Sequence, residues 1–355
     1  MPSNSSTSKM SSKRRVLLIY TGGTIGMIKD PKTGILSPFD FESLHERIPE
    51  IDLLDIEVGI EAFEKPIDSS NMEPTDWVLI AEIIAENYQN YNGFVILHGS
   101  DTMAYTASAL SFMFENLGKP IILTGSQLPI GVVRTDGKEN IITAIEIAAH
   151  LENGEPLISE VAIYFEYQLY RGNRTYKHNA ENFQAFRSPN YPILAQAGVH
   201  IKYNREYISA RPSESMKLNT SMDNSVTVLT LFPGISRSIV QAAASIPHNL
   251  VLIVRTFGSG NASSAAWFLK LLSDAIDGGL LLINVSQCLV GGVNQGKYAT
   301  STGMQEMGVI SAGDMLIEAA LTKTMALLGQ GYRGEAFRKK FTSALRGEMT
   351  VKSDN

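Results

Sequence analysis

The sequence predicts an α/β protein of two domains, a larger N-terminal one built on a parallel sheet with helices on both faces and a smaller C-terminal α/β one. Three observations carry this expectation. Short apolar runs end repeatedly in small polar loops, amphipathic stretches separate those runs, and a second series of the same kind begins after the pattern lapses near residue 204. Strand, helix, strand repeats of this size imply right-handed crossovers and so a parallel sheet of the flavodoxin or Rossmann kind. At 355 residues the chain is also long for a single core.

The elements follow in order. Residues 1–14 are rich in serine and lack the apolar stretch of a signal peptide, so they are expected to be a disordered tail. In the domain spanning 15–203, strands are expected at Val16 to Ile19, Ile56 to Ala62, Phe94 to Leu97, Ile121 to Leu123 and Val161 to Phe165. One helix opens near Pro74, where Trp77, Ile80, Ala81, Ile84 and Tyr88 share a face, and others run from Thr102 to about Asn116 and from Asn140 to Leu151. Residues 204–224, with Arg211-Pro212-Ser213-Glu214-Ser215, read as a linker. The second domain, 225–350, starts strands at Ser225, Leu250 and Leu280 and closes with helices near Met315 to Leu328 and Gly334 to Leu345.

Composition narrows the function classes. Hydrophobic residues at 44% and charged residues at 19% describe a soluble globular chain, and a net charge of −6 opposes general affinity for nucleic acid. No segment approaches the roughly 20 apolar residues of a membrane span, so no membrane partner is expected. The single cysteine, Cys288, excludes an internal disulfide and fits a reducing cytoplasm, and its apolar flanks predict a buried thiol. Six scattered histidines show no ligand spacing, so neither a metal nor another cofactor is expected.

In sheets of this kind ligands bind beyond the carboxyl ends of the strands. The loops there, Thr21-Gly22-Gly23-Thr24, His98-Gly99-Ser100-Asp101 and Thr124-Gly125-Ser126, are small and polar. A dinucleotide fingerprint needs glycine where Thr21 stands, and a P-loop needs Lys-Ser or Lys-Thr where Ile25-Gly26 stand, so a phosphate cradle is poorly served. Thr24 and Ser100 instead place hydroxyls where a loop is expected to become a helix, beside free N–H groups that suit a developing oxyanion. Read singly, the first motif is also a structural turn, and Ser100 or Asp101 is also an ordinary helix cap.

Together with Asp68-Ser69-Ser70-Asn71 and the run Arg171-Gly172-Asn173-Arg174-Thr175-Tyr176-Lys177, these motifs closely resemble the bacterial type I (cytoplasmic) L-asparaginases of the asparaginase/glutaminase family, from about Arg15 to Leu345. The resemblance implies that Thr24 attacks the side-chain amide of L-asparagine, forming a β-aspartyl enzyme that water releases as L-aspartate. It implies a second catalytic group of Ser100, Asp101 and Lys177, with Asp68, Ser69, Ser70, Ser100 and Asp101 holding substrate. It further implies a homodimer or homotetramer in which Asn261 reaches a neighbouring site, and it matches Arg255 and Cys288 to the allosteric asparagine region of some members.

Two positions depart from the family pattern. Ser100 stands where familiar members carry threonine, which removes one methyl, an effect of about 0.8 kcal/mol if buried. The segment Met27 to Phe41 lacks the tyrosine that many members place on a lid, and Ile35 stands near that position. The lid itself is read from the turn cluster Asp30-Pro31-Lys32-Thr33-Gly34. Two other readings use the same scaffold: a nucleotide-binding oxidoreductase, separated by titration with NAD or NADP, and a non-catalytic amino-acid sensor, separated by ammonia release.

Overall fold

The computed structural model describes residues 13–29, 36–38, 48–295 and 299–351. Five parallel strands, β1 (Arg14–Gly22), β2 (Ile56–Ile67), β3 (Gly93–Leu97), β4 (Ile121–Thr124) and β5 (Val161–Phe165), lie side by side in the order β5-β4-β3-β1-β2. Each contains the strand expected from the sequence.

The sheet is nevertheless mixed, which corrects the expectation of a parallel one. Strands β6 (Gln168–Arg171), β7 (Ala195–Gln196) and β8 (Lys202–Tyr203) extend the β5 edge to eight strands, each antiparallel to its neighbour. The reason is local. Glu166 and Tyr167 both take left-handed φ values, 42° and 67°, closing a two-residue hairpin instead of leading into a helical crossover.

Helices α1 (Pro74–Asn87), α2 (Met103–Met113) and α3 (Gly137–Ala148) cover the sheet. Alternate residues of β1 enter opposite cores: Val16 and Leu18 join Val95, Ile122 and Ile145 on one face, while Leu17 and Ile19 join Phe94, Ile96, Trp77 and Ile80 on the other. Burial on both faces is why β1 reads as an unbroken apolar run. Each fully buried side chain of this size contributes about 1.5–3 kcal/mol.

A second, wholly parallel sheet takes its strands in chain order, β9 (Val226–Thr230), β10 (Val251–Thr256), β11 (Leu281–Ser286) and β12 (Ile310–Ser311). Around it lie α4 (Arg237–Ala244), α5 (Ala266–Asp277), α6 (Ala299–Glu306), α7 (Ile317–Gly329) and α8 (Gly334–Phe341). Helix α2 packs against α7, so the two sheets share a helical seam. Within 204–224, Lys217–Leu218 pairs antiparallel with Phe114–Glu115 along that seam. Among the described residues no helix is long and apolar enough to cross a membrane. Cys288 is exposed, against expectation, because it sits two residues beyond β11 in a loop whose Ser286 hydroxyl accepts its backbone N–H.

Candidate active site

Three loops meet at the carboxyl ends of β1, β2 and β3, and glycine lets them meet. A Cβ on Gly22 would lie 2.2 Å from the Ile67 carbonyl oxygen, just before Asp68, and one on Gly23 would lie 2.5 Å from Gly99 N and Cα. Both residues have positive φ, 133° and 88°. Backbone from the neighbouring loops, not a phosphate, fills the space beside this glycine pair. Gly99 in turn faces Ser69, whose Oγ would be 2.5 Å from an added Cβ. Thr21 fastens the arrangement by donating its hydroxyl to the Leu97 carbonyl at 3.0 Å.

Thr24 opens a single 3-10 turn, Thr24–Gly26, and the chain then leaves as the strand Met27–Lys29, which pairs with Leu36–Pro38. Thr24 therefore does not stand at the N-terminus of an α-helix, and no helix macrodipole acts on it there. The hydroxyl of this half-buried residue has no hydrogen-bond partner among the described residues. The turn Asp30 to Gly34 and Ile35 lie outside the described residues.

The second motif behaves differently from a helix cap. Thr102 occupies the N-cap position of α2 and gives its hydroxyl to the Ser69 carbonyl at 2.7 Å, leaving Ser100 and Asp101 free of capping. Lys177 takes both up: its Nζ donates to Ser100 Oγ at 2.8 Å and to Asp101 Oδ1 at 2.6 Å. The Lys177 side chain is only 16% exposed while Asp101 is 65% exposed, so the ammonium is enclosed and the carboxylate faces solvent. Ser100 also reaches Gln127 Oε1 at 3.5 Å. Gln127 was missed by sequence reasoning, although it directly follows the Thr124-Gly125-Ser126 loop.

His98 sets the backbone beneath Ser100. Burial pushes its pKa down to about 4, so the ring is neutral at ordinary pH. The Gly99 carbonyl, 2.7 Å from Nδ1, can only accept, which puts the proton on Nδ1. Nε2 therefore accepts from the Thr106 hydroxyl at 2.9 Å, and Thr106 accepts from the Trp77 indole at 3.0 Å. This buried relay from α1 through α2 fixes the peptide that precedes Ser100.

The run leading to Lys177 is anchored by Arg171 within its own domain and by Asn173 and Arg174 on the other one. Arg171 makes a two-pronged contact to Glu160, and Arg174 donates from Nε to the Gly347 carbonyl at 2.7 Å and from Nη1 to Asp314 at 2.8 Å. Asn173 reaches the Arg346 carbonyl at 3.0 Å. Residues 345–348 are shaped in turn by Glu348, which accepts from the backbone of Leu345 and Arg346 and pairs with Lys323, both side chains being fully buried.

Residues 15–209 match the family described as Asparaginase, N-terminal, and residues 225–341 match the Glutaminase/Asparaginase C-terminal domain. The chain belongs to the asparaginase family. It is 42% identical over 339 residues to L-asparaginase 1 of Escherichia coli K12, covering 95% of this chain and 98% of that one. The crystal structure of L-asparaginase I from Vibrio cholerae superposes with a TM-score of 0.86 at 42% identity, over 96% of this chain and all of that one. A mouse protein named 60 kDa lysophospholipase is 40% identical, but this chain spans only 64% of its length.

The remaining residues singled out from the asparaginase pattern divide. Asp68 is engaged in its own loop, accepting from Ser70 N and Ser70 Oγ at 2.9 Å each, and those two bonds hold its carboxyl below the usual range. Ser69 is buried against Gly99. Arg255, Cys288 and Asn261 stand at the ends of β10 and β11 in the second domain and share no hydrogen bond with Thr24, Ser100, Asp101 or Lys177 among the described residues. Arg255 Nε and Glu318 Oε2 are buried without hydrogen-bond partners there. No group of three or more His, Cys, Asp or Glu among the described residues is placed to hold a metal ion.

Proposed function

We propose that this chain hydrolyses L-asparagine to L-aspartate and ammonia through an ester on Thr24. The observation that carries the reading is the Ser100, Asp101 and Lys177 contact set, standing across the Gly23 and Gly99 packing from Thr24. Thr24 Oγ attacks the side-chain amide carbon while its proton passes by way of Ser100 Oγ to Lys177 Nζ, which acts as base in its neutral amine form. The C–N bond breaks with that proton delivered to nitrogen, ammonia leaves, and water then cleaves the ester by the same route in reverse. Backbone N–H groups of the loops at Thr24 and Ser100 offer donors to the oxyanion. Asp101, largely exposed, is suited to the substrate's α-ammonium, and Ser69 and Ser70 to its α-carboxylate, with Asp68 shaping their loop.

Thr24→Ala and Lys177→Met test this. Both are expected to fold and to lose aspartate production by at least about 100-fold, the range of a missing nucleophile or proton carrier. A folded Thr24→Ala protein with parental turnover would overturn the mechanism.

The native form is proposed to be a cytoplasmic homodimer or homotetramer, with Asn261 reaching a neighbouring site. Exposed Phe232, Ile239 and Phe257 on the second domain supply apolar surface for such contact. Light scattering that returned a monomer at micromolar concentration would reject it. Arg255 and Cys288 are assigned to an effector site. The unpartnered Arg255 Nε and Glu318 Oε2 suit the carboxylate and ammonium of an amino acid, and loss of any asparagine-dependent cooperativity in Arg255→Ala is the check.

A further inference from the structure

A cavity of about 290 Å³ opens on the seam between the two sheets, where the end of α2, the Lys217–Leu218 strand, α7, α8 and Arg346 converge. It shares no lining residue with the loops that carry Thr24, Ser69, Ser100, Asp101 or Lys177. Its size falls near the lower end of small-molecule sites, about 300 Å³.

The wall is strongly cationic. Lys217, Lys323, Lys340 and Arg346 line it against a single carboxylate, Glu115. Lys323 is already satisfied by Glu348, which also balances its charge, and by the carbonyls of Phe341 and Ser343, so the anion-binding capacity rests on the other three. The other three keep donors to spare. Arg346 uses Nε on the Phe114 carbonyl at 2.9 Å and Nη1 on the Leu345 carbonyl at 2.8 Å, and Nη2 has no protein acceptor among the described residues. Lys340 lies over the Tyr332 ring at 5.8 Å, and among the described residues Lys217 has only the exposed Glu214, 4.0 Å away. Burial lowers the pKa of Arg346, with Glu115 and Glu348 offsetting this only in part. A bound anion would complete the balance. Met113, Leu218 and Leu327 add an apolar floor.

We propose that this cavity binds a small organic anion, a phosphate ester or a carboxylate with a short apolar body, independently of amide hydrolysis. The guanidinium of Arg346 offers the fork that such groups prefer, and Lys217 and Lys340 close over it as point charges.

The test uses the full chain, with inorganic phosphate, glycerol 3-phosphate and succinate as probes, by calorimetric titration at low and high salt. Lys217→Glu/Lys340→Glu is the variant, because neither side chain holds the fold together or touches the proposed catalytic groups. At least one probe is expected to bind at millimolar concentration or tighter, to weaken as salt rises, and to lose about tenfold or more in affinity in the variant, while asparagine turnover stays within about twofold of parental. Phosphate compounds binding where succinate does not, or the reverse, identifies the anion class. No binding by any probe, or equal binding by the variant, overturns the proposal. Because turnover is read separately, that failure is distinct from failure of the asparaginase reading.

Discussion

Arg174 Nε and the Gly347 carbonyl lie 2.7 Å apart, tying the turn three residues before Lys177 to the last loop of the second domain. Arg174 is 3% exposed and also holds Asp314 and, at 3.4 Å, Thr350. The base side of the active site is thus anchored on a domain that supplies none of the nucleophile loops.

Replacing Arg174 should separate positioning from folding. Arg174→Ala removes a partly buried ion pair and should cost about 3 kcal/mol of stability. Arg174→Lys keeps the charge but cannot span Gly347, Asp314 and Thr350 at once. At a temperature where both are folded, kcat should fall, by as much as about 100-fold for a displacement near 1 Å, while KM stays close to parental. A role in stability alone predicts an unchanged kcat in the folded fraction.

Gly23→Ala should be far worse than alanine at a positive-φ glycine with open space around it. Gly23 has φ 88° and ψ 173°, a region essentially reserved for glycine that costs a side chain about 1–3 kcal/mol, and there the new methyl would also press 2.5 Å from Gly99 backbone atoms that cannot retreat without moving Ser100. Gly154, at φ 84°, has nothing within 4 Å, so alanine there meets a positive φ without a packing clash. Melting temperature and turnover should both fall much further in Gly23→Ala than in Gly154→Ala. Equal effects would show that the loops do not depend on that contact.

The five parallel strands and the residues at their ends were legible because burial on both faces writes an apolar run that stops where the loop begins. The antiparallel edge was not, since Glu166 and Tyr167 carry no glycine or asparagine to announce a hairpin, and β7 and β8 are two residues each. Ser100, Asp101 and Lys177 were grouped by family resemblance, and no local pattern joins positions 76 and 77 residues apart. Gln127 and the His98, Thr106 and Trp77 relay depend on contacts between separate elements, which spacing does not encode. Burial of Cys288 was inferred from its apolar flanks, but the loop carries that side outward, and Val290 is itself exposed.

The buried Lys323 and Glu348 pair should matter much more than an exposed pair on the same domain. Both side chains are inaccessible, and removing either leaves the other charged and enclosed, a loss of about 3–5 kcal/mol. Lys270 and Asp274 form an i,i+4 pair at 3.0 Å with both side chains more than half exposed, worth about 0.5 kcal/mol or less. Urea unfolding of Lys323→Met and Lys270→Met should show that contrast, with the first change also weakening the loop that holds Arg174. Similar midpoints for the two would rule out a structural part for the buried pair.

Glu318 should make the protein less stable as pH rises through neutrality. Burial lifts its pKa from 4.5 to about 7, with Arg255 opposing only in part, and Oε2 has no hydrogen-bond partner among the described residues. Between those two values the folded state binds more protons than the unfolded one, so stability falls with increasing pH across the window. The contribution is fully present below about pH 4.5 and lost once pH passes through about 7, an effect on the order of 3 kcal/mol. Glu318→Gln cannot ionise, so it should be more stable than the parent at pH 8 and nearly equal to it near pH 4.5. Melting temperatures of the two proteins across that range decide the matter, and parallel curves would show that the carboxyl titrates as an ordinary exposed one.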